Sequence, residues 1–208
     1  MAHLILDRNR IGWAAIATLA VLLLFTVSSA QAAEQAISLK GGLTKWDDPS
    51  NSDELESAAE DGYVFGLAYD RTYALAERNY LGTVRLEIEA LIAIEEIHGV
   101  NPNGMKGRTE NETVYVTTLM ANVWPEFIRF GRVSLYGGGG IGIGMLKALG
   151  DSAFSHAWQA GGGLMIGVTE SLSLDLGYRY LSMGDTRVDN IEAEYDRHTA
   201  LVGLRWSF

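Results

Sequence analysis

Read back from Phe208, the chain changes character at every residue. Phe208, Trp206, Leu204, Val202 and Ala200 fall on one side, and Ser207, Arg205, Gly203 and Thr199 on the other. Only Leu201 breaks the pattern. A period of two places the two sets on opposite faces of a β-strand, whereas a helix would scatter them around its axis. The last segment is therefore a strand with one apolar and one polar face.

The same alternation recurs upstream. Leu172, Leu174, Leu176, Tyr178 and Tyr180 interleave with Ser173, Asp175, Gly177 and Arg179. Trp158, Ala160, Gly162, Leu164, Ile166 and Val168 interleave with Gln159, Gly161, Gly163, Met165 and Gly167. Val133, Leu135, Ile141 and Ile143 share a run with Ser134, Tyr136 and alternate glycines to Gly144. Leu86, Ile88, Ala90, Ile92 and Ile94 alternate with Arg85, Glu87, Glu89 and Glu95. Three less regular runs, 37–44, 63–70 and 114–124, bring the number to eight. An even number closes an antiparallel barrel with both chain ends on one side, and closure removes the exposed edges.

The 208 residues are enough for one domain. At the N-terminus, Arg8 and Arg10 precede an apolar stretch from Ile11 to Val27, then Ala30-Gln31-Ala32-Ala33. A basic start, apolar middle and Ala-x-Ala site make a secretory signal cut near Ala32/Ala33. Residues 1–32 are thus expected to leave, and residues 33–208 to form the barrel. Removing Arg8, Arg10 and Asp7 leaves 14 basic and 25 acidic residues, a net charge of −11. That balance offers no basic patch for nucleic acid. Cysteine is absent, so neither disulfides nor thiolate metal sites arise. Glycine is abundant at 24 and proline scarce at 3, as suits many strands.

The links between runs alternate in length. Short ones are expected at Pro125-Glu126-Phe127 and Thr169-Glu170-Ser171, with a moderate one over 71–79. Long polar ones are expected over 46–61, 98–111, 147–155 and 182–194. Short turns at one end and long loops at the other is the outer-membrane arrangement. Face polarity separates this from a soluble lipocalin-like barrel, in which the apolar face would point inward. Here the apolar faces carry aromatics near strand ends (Trp158, Tyr178, Tyr180, Trp206, Phe208), as interfacial girdles do. The opposite faces carry glycines and charges of both signs. The expectation is an all-β, eight-stranded antiparallel transmembrane β-barrel with Lys40, Arg85, Arg132, Arg179 and Arg205 inward beside Glu87, Glu89 and Asp175. Charges in so narrow a lumen must pair, because lone buried charges are costly. They read as a structural network, and a proton or ion path is the sharper alternative.

Several segments resemble the opacity-protein and OmpA-like porin-family barrels. They are Arg132 to Gly142, with Leu135-Tyr136-Gly137-Gly138-Gly139-Gly140, then Ala157 to Gly163, Leu172 to Leu181, and Val202-Gly203-Leu204-Arg205-Trp206-Ser207-Phe208. The resemblance spans roughly 34–208 and implies an eight-stranded barrel without a peptidoglycan-binding domain. It also implies insertion into a Gram-negative outer membrane, with Trp206 and Phe208 as the C-terminal signal for the barrel-assembly machinery. The partners implied are outer-membrane lipid and lipopolysaccharide, for a monomer whose loop-binding partner is unknown.

Other motifs carry less. Gly137-x-Gly139-x-x-Gly142 matches a dinucleotide fingerprint in letters, but alternation continues through Ile141 and Ile143, so no helix opens there. His3 leaves with the signal, while His98, His156 and His198 sit at loop margins. His156 beside Ser155, or His198 beside Thr199, invites comparison with barrel lipid A deacylases, although neither has the His-x-Ser context. The acidic stretches (Asp47 to Asp61 and Asp185 to Glu194) have no calcium-loop spacing and read as solvated charge. No catalytic residue, cofactor or metal site is expected. The function expected is structural or surface-interaction, with a small low-conductance pore and a lipid-modifying enzyme as alternatives.

Overall fold

A computed structural model describes residues 34–46, 62–74, 82–100, 110–148, 151–188 and 191–208. Eight strands run in chain order: β1 Glu34–Trp46, β2 Gly62–Ala74, β3 Thr83–Val100, β4 Glu110–Phe130, β5 Val133–Ala148, β6 Asp151–Gly167, β7 Leu172–Val188 and β8 Ile191–Ser207. Each pairs antiparallel with the next, and β1 pairs with β8, from Ala36↔Ser207 to Trp46↔Arg197, to close the barrel. The expected signal segment, residues 1–32, lies outside the described residues.

Alternation places the faces. On β1, Ala36, Ser38, Lys40 and Thr44 are buried, while Ile37, Leu39 and Leu43 are more than half exposed. Lys40 keeps 2 % of its surface exposed and Leu39 keeps 61 %. On β3, Arg85, Glu87 and Glu89 are buried and Ile92 is exposed. Charges inside and apolar side chains outside invert the order of a soluble barrel. The soluble lipocalin-like rival is excluded by this polarity.

Two described turns at the termini end of the barrel are tight. β4 and β5 meet at Gly131-Arg132, where Gly131 has φ +57°, a left-handed conformation that glycine adopts without a Cβ penalty. β6 and β7 meet over 168–171, with Thr169 Oγ1 accepting from Leu172 N at 3.0 Å. The chain end is tied in, as Ser207 N donates to Ser171 O and Phe208 N donates to Gln35 O, each at 2.9 Å.

Several of the expected links change. Pro125-Glu126-Phe127 is not a turn: β4 continues to Phe130 with an irregular register between Glu126 and Ile128. Pro125, which lacks an N–H, lies beside that irregularity, where a missing ladder bond is tolerated. Likewise, 147–155 and 182–194 are mostly strand. β5 reaches Ala148 before β6 starts at Asp151, and β7 reaches Val188 before β8 starts at Ile191. These strands have 16 or 17 residues, against about 9–11 for a tilted strand crossing a bilayer. Their polar residues read as loop in the sequence, yet the backbone ladder pairing continues through them. The moderate link expected over 71–79 starts later, because β2 runs to Ala74, and residues 75–81 fall outside the described residues, as do the links 47–61 and 101–109.

Candidate functional site

The lumen is the part of the molecule where chemistry-bearing side chains converge. Successive inward positions on eight tilted strands bring residues distant in sequence together. At its centre Lys40 Nζ of β1 bridges Glu87 and Glu89 of β3, bonding Glu87 Oε2 at 2.9 Å and Glu89 Oε2 at 2.5 Å. Both carboxylates are further satisfied by the neighbouring strand β4 and by β6 across the lumen. Trp124 Nε1 and Asn122 Nδ2 of β4 donate to Glu87 Oε1 at 2.9 and 3.2 Å. Gln159 Nε2 of β6 donates to Glu89 Oε1 at 2.9 Å and to Asn122 Oδ1 at 2.7 Å.

Aromatic rings carry the second cluster. The Arg179 guanidinium lies 4.0 Å from the Trp124 ring centroid, and Arg85 lies 4.7 Å from that of Tyr136. Trp124 and Tyr136 meet edge to face at 5.9 Å. Tyr136 Oη donates to Asp175 Oδ1 at 2.5 Å and accepts from Arg179 Nη2 at 3.2 Å. Arg85 Nη2 stands 3.9 Å from Asp175 Oδ2. Cation–π contact is worth most where water is excluded, and every one of these groups is buried.

Two smaller groups flank the centre. Toward the termini, Arg205 bonds Asp70 through Nε and Nη2, the shorter contact 2.7 Å, and reaches Glu34 at 2.8 Å. This is the bidentate geometry that suits guanidinium and carboxylate. Toward the other end, Tyr195 Oη donates to Glu95, and Arg197 stands 3.9 Å from the same carboxylate. Eleven buried apolar residues, including Val64, Leu91, Val116, Met120, Leu181, Met183 and Leu201, also fill the lumen as one cluster. Among the described residues the fully buried charges are Lys40, Arg85, Arg179, Arg197 and Arg205 against Asp70, Glu87, Glu89, Glu95 and Asp175. Five cations face five anions, so the interior is electrically balanced.

The glycines of β5 make this packing possible. A Cβ at Gly140 would collide with Asn122, at Gly142 with Met120, and at Gly144 with Met183 of β7. The inward glycines therefore leave room for large neighbours, including one on a strand that is not adjacent.

Of the eight charges expected in the lumen, Lys40, Arg85, Glu87, Glu89, Asp175, Arg179 and Arg205 are brought together there. Arg132 is not. It occupies the β4–β5 turn, exposed, and donates to Val168 O at 3.1 Å. The extension of β4 past Pro125 moves the turn onto Arg132 and takes it out of the alternation. Trp206 and Phe208 face outward, 65 and 70 % exposed.

Sequence reasoning missed Asp70, Glu95, Asn122, Trp124, Tyr136, Gln159, Tyr195 and Arg197 as members of the network. Their positions on the inward period were the available signal. On β4 that signal was hidden, because Val114, Val116, Met120 and Trp124 face inward while Tyr115, Leu119 and Val123 face outward.

The histidine pairs are divided between faces or engaged elsewhere. Ser155 Oγ donates to Gly184 O at 2.7 Å, and the next residue, His156, is exposed on the outside. His198 Nδ1 hydrogen-bonds Tyr178 Oη on the outer face, and its ring packs against Tyr180 at 5.1 Å. Thr199 turns inward toward Thr44. The side chains of the acidic stretches at 47–61 and 185–194 lie outside the described residues, as does His3.

Known proteins give this architecture a context. The description "Outer membrane protein beta-barrel domain" belongs to a family whose sequence pattern matches residues 17–208. An uncharacterised protein of Brucella abortus is 29 % identical over 208 residues, covering 78 % of this chain and 73 % of its own. A protein of Brucella suis matches to the same extent. In fold the chain is similar to Neisserial surface protein A, with a TM-score of 0.61 at 15 % identity, covering 86 % of this chain and all of that one. The family match reaches the last residue, through all eight strands of the inverted barrel, and on that ground the chain belongs to the outer membrane protein β-barrel family.

Proposed function

We propose that the protein works as a structural and surface-interaction component of the outer membrane, with no catalytic role and no through-lumen transport. The observation that carries this reading is the filled interior. Five cations, five anions and an apolar cluster occupy the lumen, each charge held against partners from other strands. An eight-stranded barrel is narrow enough for side chains to fill it. Removing one member of a buried ion pair is costly, which favours a fixed network over a mobile path. The surfaces left to act are the lipid face and the strand ends and loops opposite the termini.

In this reading residues 1–32 direct export and are removed. Trp206 and Phe208, outward at the closure seam, present the C-terminal signal to the assembly machinery. The mature barrel sits as a monomer among phospholipid and lipopolysaccharide, its acidic loops available to a surface partner.

Recording from the refolded full chain in planar bilayers tests the central element. No discrete current steps are expected at moderate voltage. Regular steps carried by the purified wild-type barrel would overturn the closed-lumen reading and leave the small pore in its place.

A further inference from the structure

The lipid face is not uniform. Beside the β1–β8 seam, Ile37 and Leu39 of β1, Leu67 of β2 and Leu204 and Trp206 of β8 line an outward-facing groove of about 520 Å³, walled at one end by Phe208. That volume lies within the range of small-ligand clefts, about 300–1,000 Å³. The lining is apolar throughout.

What lies at the rim indicates the occupant. The β1–β2 register passes, toward the termini, from Leu39↔Leu67 to Ile37↔Tyr69 to Gln35↔Arg71. Three rungs therefore grade from apolar to amphipathic to polar on one outward face. The polar groups are held in a row, with Tyr69 Oη donating to Gln35 Oε1 at 2.8 Å and Arg71 Nε donating to Tyr69 Oη at 3.0 Å. The nearby Glu34 carboxylate is engaged by Arg205, at 2.8 Å. A tyrosine at the water boundary and a guanidinium just beyond it follow the order of a lipid interface. Guanidinium also matches phosphate in geometry and charge.

We propose that this groove and its rim form a binding site for one anionic phospholipid. An acyl chain lies along Leu39, Leu67 and Trp206, and the phosphate sits against the Arg71 guanidinium, whose Nε is held by Tyr69. The site needs only the membrane location that the family establishes, and stands whether or not the lumen conducts.

Native mass spectrometry of the full chain tests it after refolding into vesicles of phosphatidylglycerol mixed with phosphatidylcholine and gentle release into mild detergent. The wild type is expected to retain a single phosphatidylglycerol at several-fold higher occupancy than phosphatidylcholine. Arg71→Gln should bring the two to equal occupancy, and Leu39→Trp, which fills the groove, should lower both. Heat-modifiable gel migration verifies that each variant is folded before it is compared, and Leu204→Trp serves as the groove-filling variant if Leu39→Trp does not fold. Equal retention of the two lipids by the wild type would overturn the proposal. So would an Arg71→Gln profile matching the wild type, no retained lipid, or a lipid-free dimer whose formation the groove variants abolish.

Discussion

Lys40 shows how a single residue sets the terms of the interior. Its ammonium is the bridge between Glu87 and Glu89, and no water-filled surroundings are at hand to take its place. Lys40→Met should destabilise the barrel by about 3–5 kcal/mol, because it strands two buried carboxylates. Urea unfolding in lipid vesicles, followed by tryptophan fluorescence, measures this loss. Lys45→Met, at an exposed position on the same strand, should change stability by less than about 0.5 kcal/mol in the same assay. Trp124 links the two central lumen clusters, since its ring faces Arg179 and its N–H reaches Glu87. The charges on β3 and β7 were legible in the sequence because each alternates with clear apolar neighbours. Trp124 was not, because an inward tryptophan among outward valine and leucine looks the same as any apolar run. Arg132 was misplaced for a related reason: a polar residue next to a strand carries no mark of whether it belongs to the ladder or to the turn.

Among the described turns, that of the β4–β5 hairpin is the one that needs a left-handed glycine. Gly131→Val forces a β-branched side chain into the left-handed region, at a cost of about 1–3 kcal/mol. Gly82→Ala, where an added Cβ meets nothing, should be close to neutral. Thermal gel-shift midpoints of the two variants compare them directly. On the lipid face of β8, Leu204→Arg should cost about 2–4 kcal/mol if Leu204 lies near the bilayer midplane, and urea titration in vesicles reads that loss. The number of strands and their antiparallel order followed from period two together with the alternating links, and the orientation of β8 from period two itself. Strand lengths did not. Period two is imposed by having lipid on one side and a packed lumen on the other. Where β7 and β8 run on through Thr186↔Ala193 to Val188↔Ile191, the sequence turns polar and reads as loop, although backbone pairing resumes after an irregularity at Met183–Thr186.

For the whole molecule, inversion and filling are two sides of one design. Apolar side chains face lipid, so the other half of each strand, with the buried charges, is turned into a space too narrow for bulk water. Among the described residues that space balances five buried charges of each sign and is further filled by Met120, Leu181, Met183 and their neighbours. Closure by β1 and β8 leaves no free sheet edge, and the same seam carries Trp206 and Phe208 on its outer side. The absence of native cysteine makes the arrangement open to single-site spin labelling. Nitroxides placed one at a time at Thr199, Leu201, Val202 and Leu204 of β8, in the full chain reconstituted in vesicles, test inversion and filling together. At Val202 and Leu204 the label should collide readily with oxygen dissolved in the lipid and hardly at all with a water-soluble nickel chelate. At Thr199 and Leu201 it should be shielded from both. Chelate access at Val202 and Leu204, or at Thr199 and Leu201, would contradict the account, the first by placing the apolar face in water and the second by opening the lumen.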